Sequence, residues 1–300
     1  MYAITGATGN TGRIVAEKLL ADGEKVRVIG RDTSRLAPFL QKGAEAFTTD
    51  LTDAVGLARA FNGARAVYAL VPPNIASADV RGYQERVTDA LAAALEKAAV
   101  PSVVALSSIG ADKAEKTGPV VGLHNLEQKL NRLNSLNALY LRAGYFMENL
   151  LPQAAVIQNF GFVGGPLRAD LRVPMIATRD IGGVAAELLR KLAFAGKQAR
   201  ELLGQRDLTY SEVTSVIGKA IARPDLAYLQ LPAQQLKPAL VQMGMSSNMA
   251  DLLLEMAEAL NSGHMAPLEP RSERNTTPTS IETFVAEEFA PRFQAKGAGA

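Results

Sequence analysis

The chain opens Met1-Tyr-Ala-Ile-Thr-Gly-Ala-Thr-Gly-Asn-Thr-Gly12, a short apolar run that breaks into three glycines spaced three apart. Tyr2 to Thr5 is too short for a helix and suits a buried strand, whereas Ile14, Val15, Leu19 and Leu20 recur at helical spacing. A strand that passes so abruptly into a helix needs Gly6 for the turn, Gly9 so that the main chain can approach a ligand, and Gly12 for close helix–strand packing. The free amides and dipole at the helix start favour negative charge. The expected occupant is the pyrophosphate of a dinucleotide, with Thr8, Asn10 and Thr11 completing the loop. The spacing is Gly-x-x-Gly-x-x-Gly, not the more common Gly-x-Gly-x-x-Gly.

Downstream the pattern alternates. Lys25 to Ile29 reads as a second strand ending at Gly30-Arg31-Asp32, about 20 residues past the loop, where the adenosine ribose is read. Arg31 and Arg35, with Arg13 after the third glycine, present guanidinium groups to a 2′-phosphate, so NADP(H) is the preferred cofactor. Asp32 keeps NAD(H) as the alternative. Ala44 to Thr49 is a third strand; Asp50 stands at its end within reach of adenine, while Asp53 suits a helix cap, a role open to both. Ala66 to Val71 is apolar enough for a strand buried on both faces. A helix to Ala98 carries Val80, Tyr83, Val87, Leu91 and Leu95 on one face, and Val103–Leu106 and Leu136–Leu141 are further strands. The expected fold is α/β, a doubly wound parallel sheet of Rossmann type with a smaller C-terminal cap.

The 300 residues suffice for one such domain and an appendage. Lys plus Arg number 32 and Asp plus Glu 30; this balance and the lack of a basic run argue against a nucleic-acid partner. With no cysteine there is no disulfide, thiolate metal site or thiol nucleophile, and no metal is expected. No window reaches the roughly 18 apolar residues of a membrane span. The expectation is a cytoplasmic protein with a small-molecule substrate and no membrane partner.

The loop Gly6–Gly12, together with Arg142-Ala-Gly-Tyr-Phe-Met-Glu-Asn149 and Asp180-Ile-Gly-Gly183, resembles the NmrA-like family of atypical short-chain dehydrogenases. The resemblance runs from Met1 to about Phe289. It implies that Asp50 and Leu51 lie beside adenine and that Leu70, Val71 and Pro72 follow the ribose and nicotinamide. Ser107 would touch the cofactor, Ser108 the substrate. Gly144, Tyr145 and Phe146 would wall the substrate pocket, with Asn149 a polar group on the next helix, although Phe146 and Leu150 also read as core four apart. Asp180 would be structural. The acid of active short-chain dehydrogenases is a Tyr followed four residues later by a Lys, a pairing that lowers the tyrosine pKa so that the phenol donates the proton. Here Ser107 to Leu133 contains no tyrosine, and aligning Glu127 with the acidic residue after that lysine puts Leu123 at the lysine position and Pro119 at the tyrosine position. The remaining proton donors are His124, which can equally be incidental on its helix, and Tyr145.

The organisation expected is a dinucleotide-binding portion over 1–150 with a returning segment 176–196. The cap comprises 151–175 and 197–290, with a helix from about Ser211, a strand Leu226–Leu231 and a loop 263–280. A last helix spans Ile281–Phe289, and a flexible tail 291–300. Met245, Met249, Leu252, Met256 and Leu260 share a helix face that is either core or the wall of an apolar pocket. The expected function is NADPH-dependent reduction of a quinone-like or other conjugated small molecule without the Tyr-x-x-x-Lys dyad. The alternative is a non-catalytic NADP(H)-binding redox sensor that signals to a protein partner.

Overall fold

In the computed structural model, which describes residues 1–297, apolar strands and amphipathic helices alternate as the sequence pattern requires. β1 (Tyr2–Ile4), α1 (Asn10–Ala21), β2 (Val26–Gly30), α2 (Thr33–Leu40), β3 (Glu45–Thr48), α3 (Ala54–Phe61) and β4 (Ala66–Ala69) form the first half of the winding. α4 (Val80–Lys97), β5 (Ser102–Ser108), α5 (Val121–Asn131) and β6 (Asn137–Ala143) form the second. There follow β7 (Tyr145–Phe146), α6 (Gln153–Phe160), β8 (Val163–Gly165), β9 (Val173–Ile176), α7 (Thr178–Lys191) and β10 (Lys197–Leu202). The main sheet has seven parallel strands in the order β10-β6-β5-β4-β1-β2-β3. The order reverses between β1 and β4, and a ligand crevice opens at such a reversal, outside the carboxyl ends of the strands.

Burial on both faces follows from strand alternation. Tyr2, Ile4 and Tyr68 pack with Val15 and Leu19 of α1 and Ile181 and Leu189 of α7. Ala3 and Val67 point the other way, onto Leu57 and Phe61 of α3 and Leu91 and Leu95 of α4. α7 lies directly on α1, because Gly182 has no side chain: a Cβ there would stand 2.6 Å from Ile14 Cβ and 2.9 Å from the Thr11 carbonyl oxygen.

The cap adds β11 (Asp207–Leu208), α8 (Tyr210–Ala220), β12 (Tyr228–Gln230), α9 (Ala233–Gln242) and α10 (Ser247–Asn261). Its core joins Met147, Ile157, Met175 and Val213 to Phe284 and Phe289. α8 begins at the Thr209–Glu212 capping box, and Ser246 caps α10. The methionine face of α10 is divided between two small clusters. Met249 and Leu252 meet Val80, while Met256 and Leu260 pack around Ala111, Val120 and Met265.

Two expectations change. The segment 197–202, assigned to the cap, is β10 of the main sheet, hydrogen-bonded in parallel to β6, because α7 serves as a crossover that returns the chain to the sheet edge. The last helix does not stop at Phe289. α11 (Ile281–Phe284) continues through a π-helical turn at Val285–Phe289 into α12 (Ala290–Gly297). Phe293 anchors this extension: its carbonyl accepts from Gln158 Nε2, and the Arg223 guanidinium stands 5.9 Å from its ring centre. Residues 298–300 of the expected tail lie outside the described residues. No helix among the described residues is long and apolar enough to cross a membrane.

The α1–α7 contact predicts opposite effects of one methyl group at adjacent glycines. Gly182→Ala should lower stability by about 1–3 kcal/mol through overpacking. Gly183→Ala, whose Cβ would meet only Lys18 Cε at 3.5 Å, should raise it by up to about 1 kcal/mol through helix propensity. Urea unfolding midpoints of the two variants check this.

Candidate functional site

The glycine loop turns at Gly6, whose φ of +60° lies in the left-handed region. Gly9 N–H donates to the Gly6 carbonyl at 2.9 Å. α1 starts so close to this turn that a Cβ at Gly12 would come within 2.3 Å of Gly6 O. No side chain caps α1 and its first turn has no acidic residue, so its outward amides and dipole are left for an external anion. Thr8 is half-buried, and Gly9 and Asn10 are exposed. Thr11 differs from expectation: its buried hydroxyl accepts from Tyr68 Oη at 2.9 Å and ties α1 to β4, leaving only its main chain to a ligand.

A second corner forms where β2 and β3 end. Arg31 and Arg35 are exposed, and among the described residues neither forms a salt bridge. Asp50 Oδ1 accepts from Thr52 N–H and Oγ1. Burial opposes its ionisation, but the Thr52 bonds and the nearby Arg31 guanidinium bring its carboxyl below the usual value. Leu51 is half-buried beside it. Asp32 Oδ1 caps α2, accepting from Ser34 N–H and Oγ, and Asp53 caps α3. In the sequence Tyr83 reads only as part of a helix core face. Its phenol lies within the fields of Asp50 and Arg31, with burial the main cause of its raised pKa. A helix-face pattern could not reveal that neighbourhood. The corner suits an adenosine carrying a 2′-phosphate: two unpaired guanidinium groups, and an acidic Asp32 already engaged by its helix.

Along the carboxyl edge, Leu70, Val71 and Pro72 are half-buried after β4. Ser107 is 2 % exposed and its hydroxyl donates to Glu127 Oε1 at 2.6 Å, so its side chain serves the protein interior. Arg142 completes that cluster with bonds to both Glu127 oxygens, at 3.1 and 2.6 Å. Glu127 thereby holds the guanidinium above its ordinary pKa. Ser108 Oγ donates to the Ile109 carbonyl. Pro119 accepts from Gln84 Nε2, and Leu123 packs on the cluster of Ala111, Val120 and Met265. His124 Nδ1 is 2.9 Å from the Ala111 carbonyl oxygen. A carbonyl can only accept, so Nδ1 carries the hydrogen and Nε2 of the neutral ring is an acceptor.

The segment after β6 divides its labour. Gly144 is buried against the Pro174 carbonyl and is packing rather than pocket wall. Tyr145 and Phe146 pair with Met175 and Ile176 of β9. Tyr145 sides with the cap core and Phe146 with the main core, both half-buried. Glu148 caps α7 from a distance, accepting from Thr178 N–H at 2.9 Å and from its hydroxyl. Asn149 is exposed beside Tyr145. Asp180 accepts from Thr279 N–H and hydroxyl, away from the crevice. Among the described residues no three carboxylate or imidazole side chains gather as a metal site. An open groove of about 660 Å³ lies elsewhere, between α9 and α10.

A doubly wound sheet whose first crossover is a bare glycine-rich helix start, with arginines at the end of the second strand, defines a dinucleotide-binding protein of short-chain dehydrogenase type. The family model described as NmrA-like matches residues 2–289, and the chain belongs to the NmrA-like family. It is 27% identical over 260 residues to the NAD(P)H azoreductase of Xenophilus azovorans, covering 85% of this chain and 86% of that one. It is 25% identical over 261 residues to quinone oxidoreductase 2 of Escherichia coli, with 85% and 86% covered. Among solved structures, an NADPH-dependent quinone oxidoreductase from E. coli superposes with a TM-score of 0.78 at 22% identity, over 96% of this chain and 100% of that one. Triphenylmethane reductase of Citrobacter complexed with NADP(H) gives 0.75 at 17%, over 99% and 100%; at these identities the likeness is one of fold.

The buried cluster beneath the crevice has a measurable consequence. Glu127 and Arg142 side chains are only 3% and 14% exposed. Glu127→Ala, which strands the guanidinium, should therefore lower stability by about 3–5 kcal/mol. Adding Arg142→Met should recover part of that loss in a denaturant-unfolding double-mutant cycle.

Proposed function

We propose that this NAD(P)H-dependent oxidoreductase prefers NADPH and reduces a quinone-like or other conjugated small molecule without a Tyr-x-x-x-Lys dyad. The observation that carries the reading is what occupies the dyad's positions. Pro119 and Leu123 bring no proton donor, and none of the seven tyrosines is followed four positions later by lysine. An isolated alcohol–ketone pair needs strong acid assistance at the oxygen, whereas a conjugated acceptor spreads the incoming charge and is electrophilic without it. Bound NADPH supplies a hydride. The chain supplies the amides of the Gly6–Gly12 turn for the pyrophosphate, Arg31 and Arg35 for the 2′-phosphate, and the half-buried Leu70, Val71, Tyr145 and Phe146 for the apolar faces. Relatives named as azoreductase and quinone oxidoreductase act on flat, conjugated acceptors, which supports the same substrate class here.

Wild-type protein should consume NADPH in the presence of at least one quinone, enone or azo compound, followed by loss of nicotinamide absorbance. No turnover across the panel, with unequal affinities for NADP and NADPH, would favour the regulatory alternative. In direct titrations, Arg31→Ala should weaken NADPH binding by about 1–3 kcal/mol, the worth of a charge-assisted bond, and leave NADH nearly unchanged. Equal weakening of both would reject the assignment of Arg31 to the 2′-phosphate.

A further inference from the structure

The cap contributes a second phenol beside Tyr145. Tyr210, the first residue of α8, is 6% exposed, and its Oη lies 3.0 Å from Tyr145 Oη. The rings meet edge to face, with centroids 6.2 Å apart and planes at 77°. On its other side Tyr210 stacks on Tyr228 at 4.8 Å, and Tyr228 spends its own proton on the Leu167 carbonyl at 2.7 Å. Among the described residues Tyr145 is the only hydrogen-bond partner of the Tyr210 hydroxyl, so Tyr210 donates and the Tyr145 oxygen accepts. The proton of Tyr145 is then free to point elsewhere, and Tyr145 is the less buried of the two. The exposed amide of Asn149 stands beside the same oxygen.

We propose that Tyr145 is the proton donor of the reduction and that Tyr210 and Asn149 are positioning residues that aim its proton outward and hold the phenolate left behind. This rests on the reductase reading above. The acceptor takes a hydride, with its two electrons, from the reduced nicotinamide at one end of the conjugated system. The displaced electron pair arrives on the carbonyl oxygen, which takes the Tyr145 proton as the phenolic O–H bond breaks. Solvent then reprotonates the phenolate. Lysine lowers a tyrosine pKa by charge; here the neutral hydrogen bond from Tyr210, with the Asn149 amide nearby, opposes the effect of burial. Burial raises Tyr145, while the Tyr210 bond and the nearby Asn149 amide lower it. Tyr210 is pushed well up by burial and by Tyr145 itself, and so keeps its proton. The groups facing Tyr145 are Tyr210 from α8, Asn149 from the turn after β7 and Tyr228 from β12; no charged side chain perturbs it among the described residues.

The test compares a neutral acceptor, menadione, which must gain a proton, with a triarylmethyl cation, which accepts hydride on carbon and needs none. Single-turnover rates with saturating NADPH are measured for Tyr145→Phe and Tyr210→Phe, after NADPH titration has shown that both still bind the cofactor. With menadione Tyr145→Phe should slow reduction by about 10²–10⁴-fold, the usual worth of a general acid, and leave the cation's rate nearly unchanged. Tyr210→Phe keeps the ring packing and removes one donor, so the alkaline limb of the menadione pH–rate profile should move to higher pH. Asn149→Ala, at an exposed position, should move it the same way. Equal slowing with both acceptors, or an unmoved alkaline limb, would overturn the relay and reduce Tyr145 to a wall of the pocket. Undiminished menadione reduction by Tyr145→Phe would also overturn it while leaving the reductase reading intact. Wild-type protein that reduces neither these two acceptors nor any member of the quinone, enone and azo panel would remove the reductase reading and the relay with it.

Discussion

The approach of α1 to the turn before it is the contact from which the rest is hung. Only a bare backbone at Gly12 allows the helix to begin against the Gly6 carbonyl. That approach aims unsatisfied amides at the carboxyl edge of β1, where the strand order reverses. α7 then lies on the same helix through Gly182, and the crossover it makes lays β10 beside β6. Phosphate cradle and sheet edge are thus fixed against one rigid element.

The parts written locally were legible in the sequence. The glycine turn, the strands buried on both faces, the Asp53 cap and the Ser246 start of α10 each follow from a few adjacent residues whose chemistry admits one arrangement. The parts that depend on distant partners were not. Lys197–Leu202 reads as any short half-polar strand, and only its pairing with β6 makes it part of the main sheet. The stretch after Phe289 looks like a polar tail until Phe293 meets Gln158 and Arg223. The resemblance singles out Tyr145 in the sequence, whereas Tyr210, which the fold brings within 3.0 Å of its hydroxyl from a helix more than sixty residues later, carries no signal of its own there. Thr11 and Ser107 show the converse: both stand where a ligand contact is expected, yet both hydroxyls serve partners inside the protein, Tyr68 and Glu127.

The face of α5 that would present an acid instead meets apolar packing. Met256 and Met265 settle around Leu123, and Glu127, one turn on, is drawn down to Arg142 and Ser107. The methionines that could have lined a ligand pocket are therefore largely cap-to-domain packing. The proposed proton donor accordingly stands on the strand-like segment after β6, whose Tyr145 and Phe146 side with the cap core and the main core.

On the assignment proposed above, that segment interleaves what holds the molecule together with what would meet the acceptor. Arg142 turns inward to Glu127, Gly144 lies against Pro174, and Glu148 secures the start of α7. Asn149, interleaved with them, is exposed, and Tyr145 pairs with Met175 of β9 while its hydroxyl meets Tyr210. On that assignment a change of acceptor would be met at alternate positions of one short segment, while the residues between them keep the framework as it is.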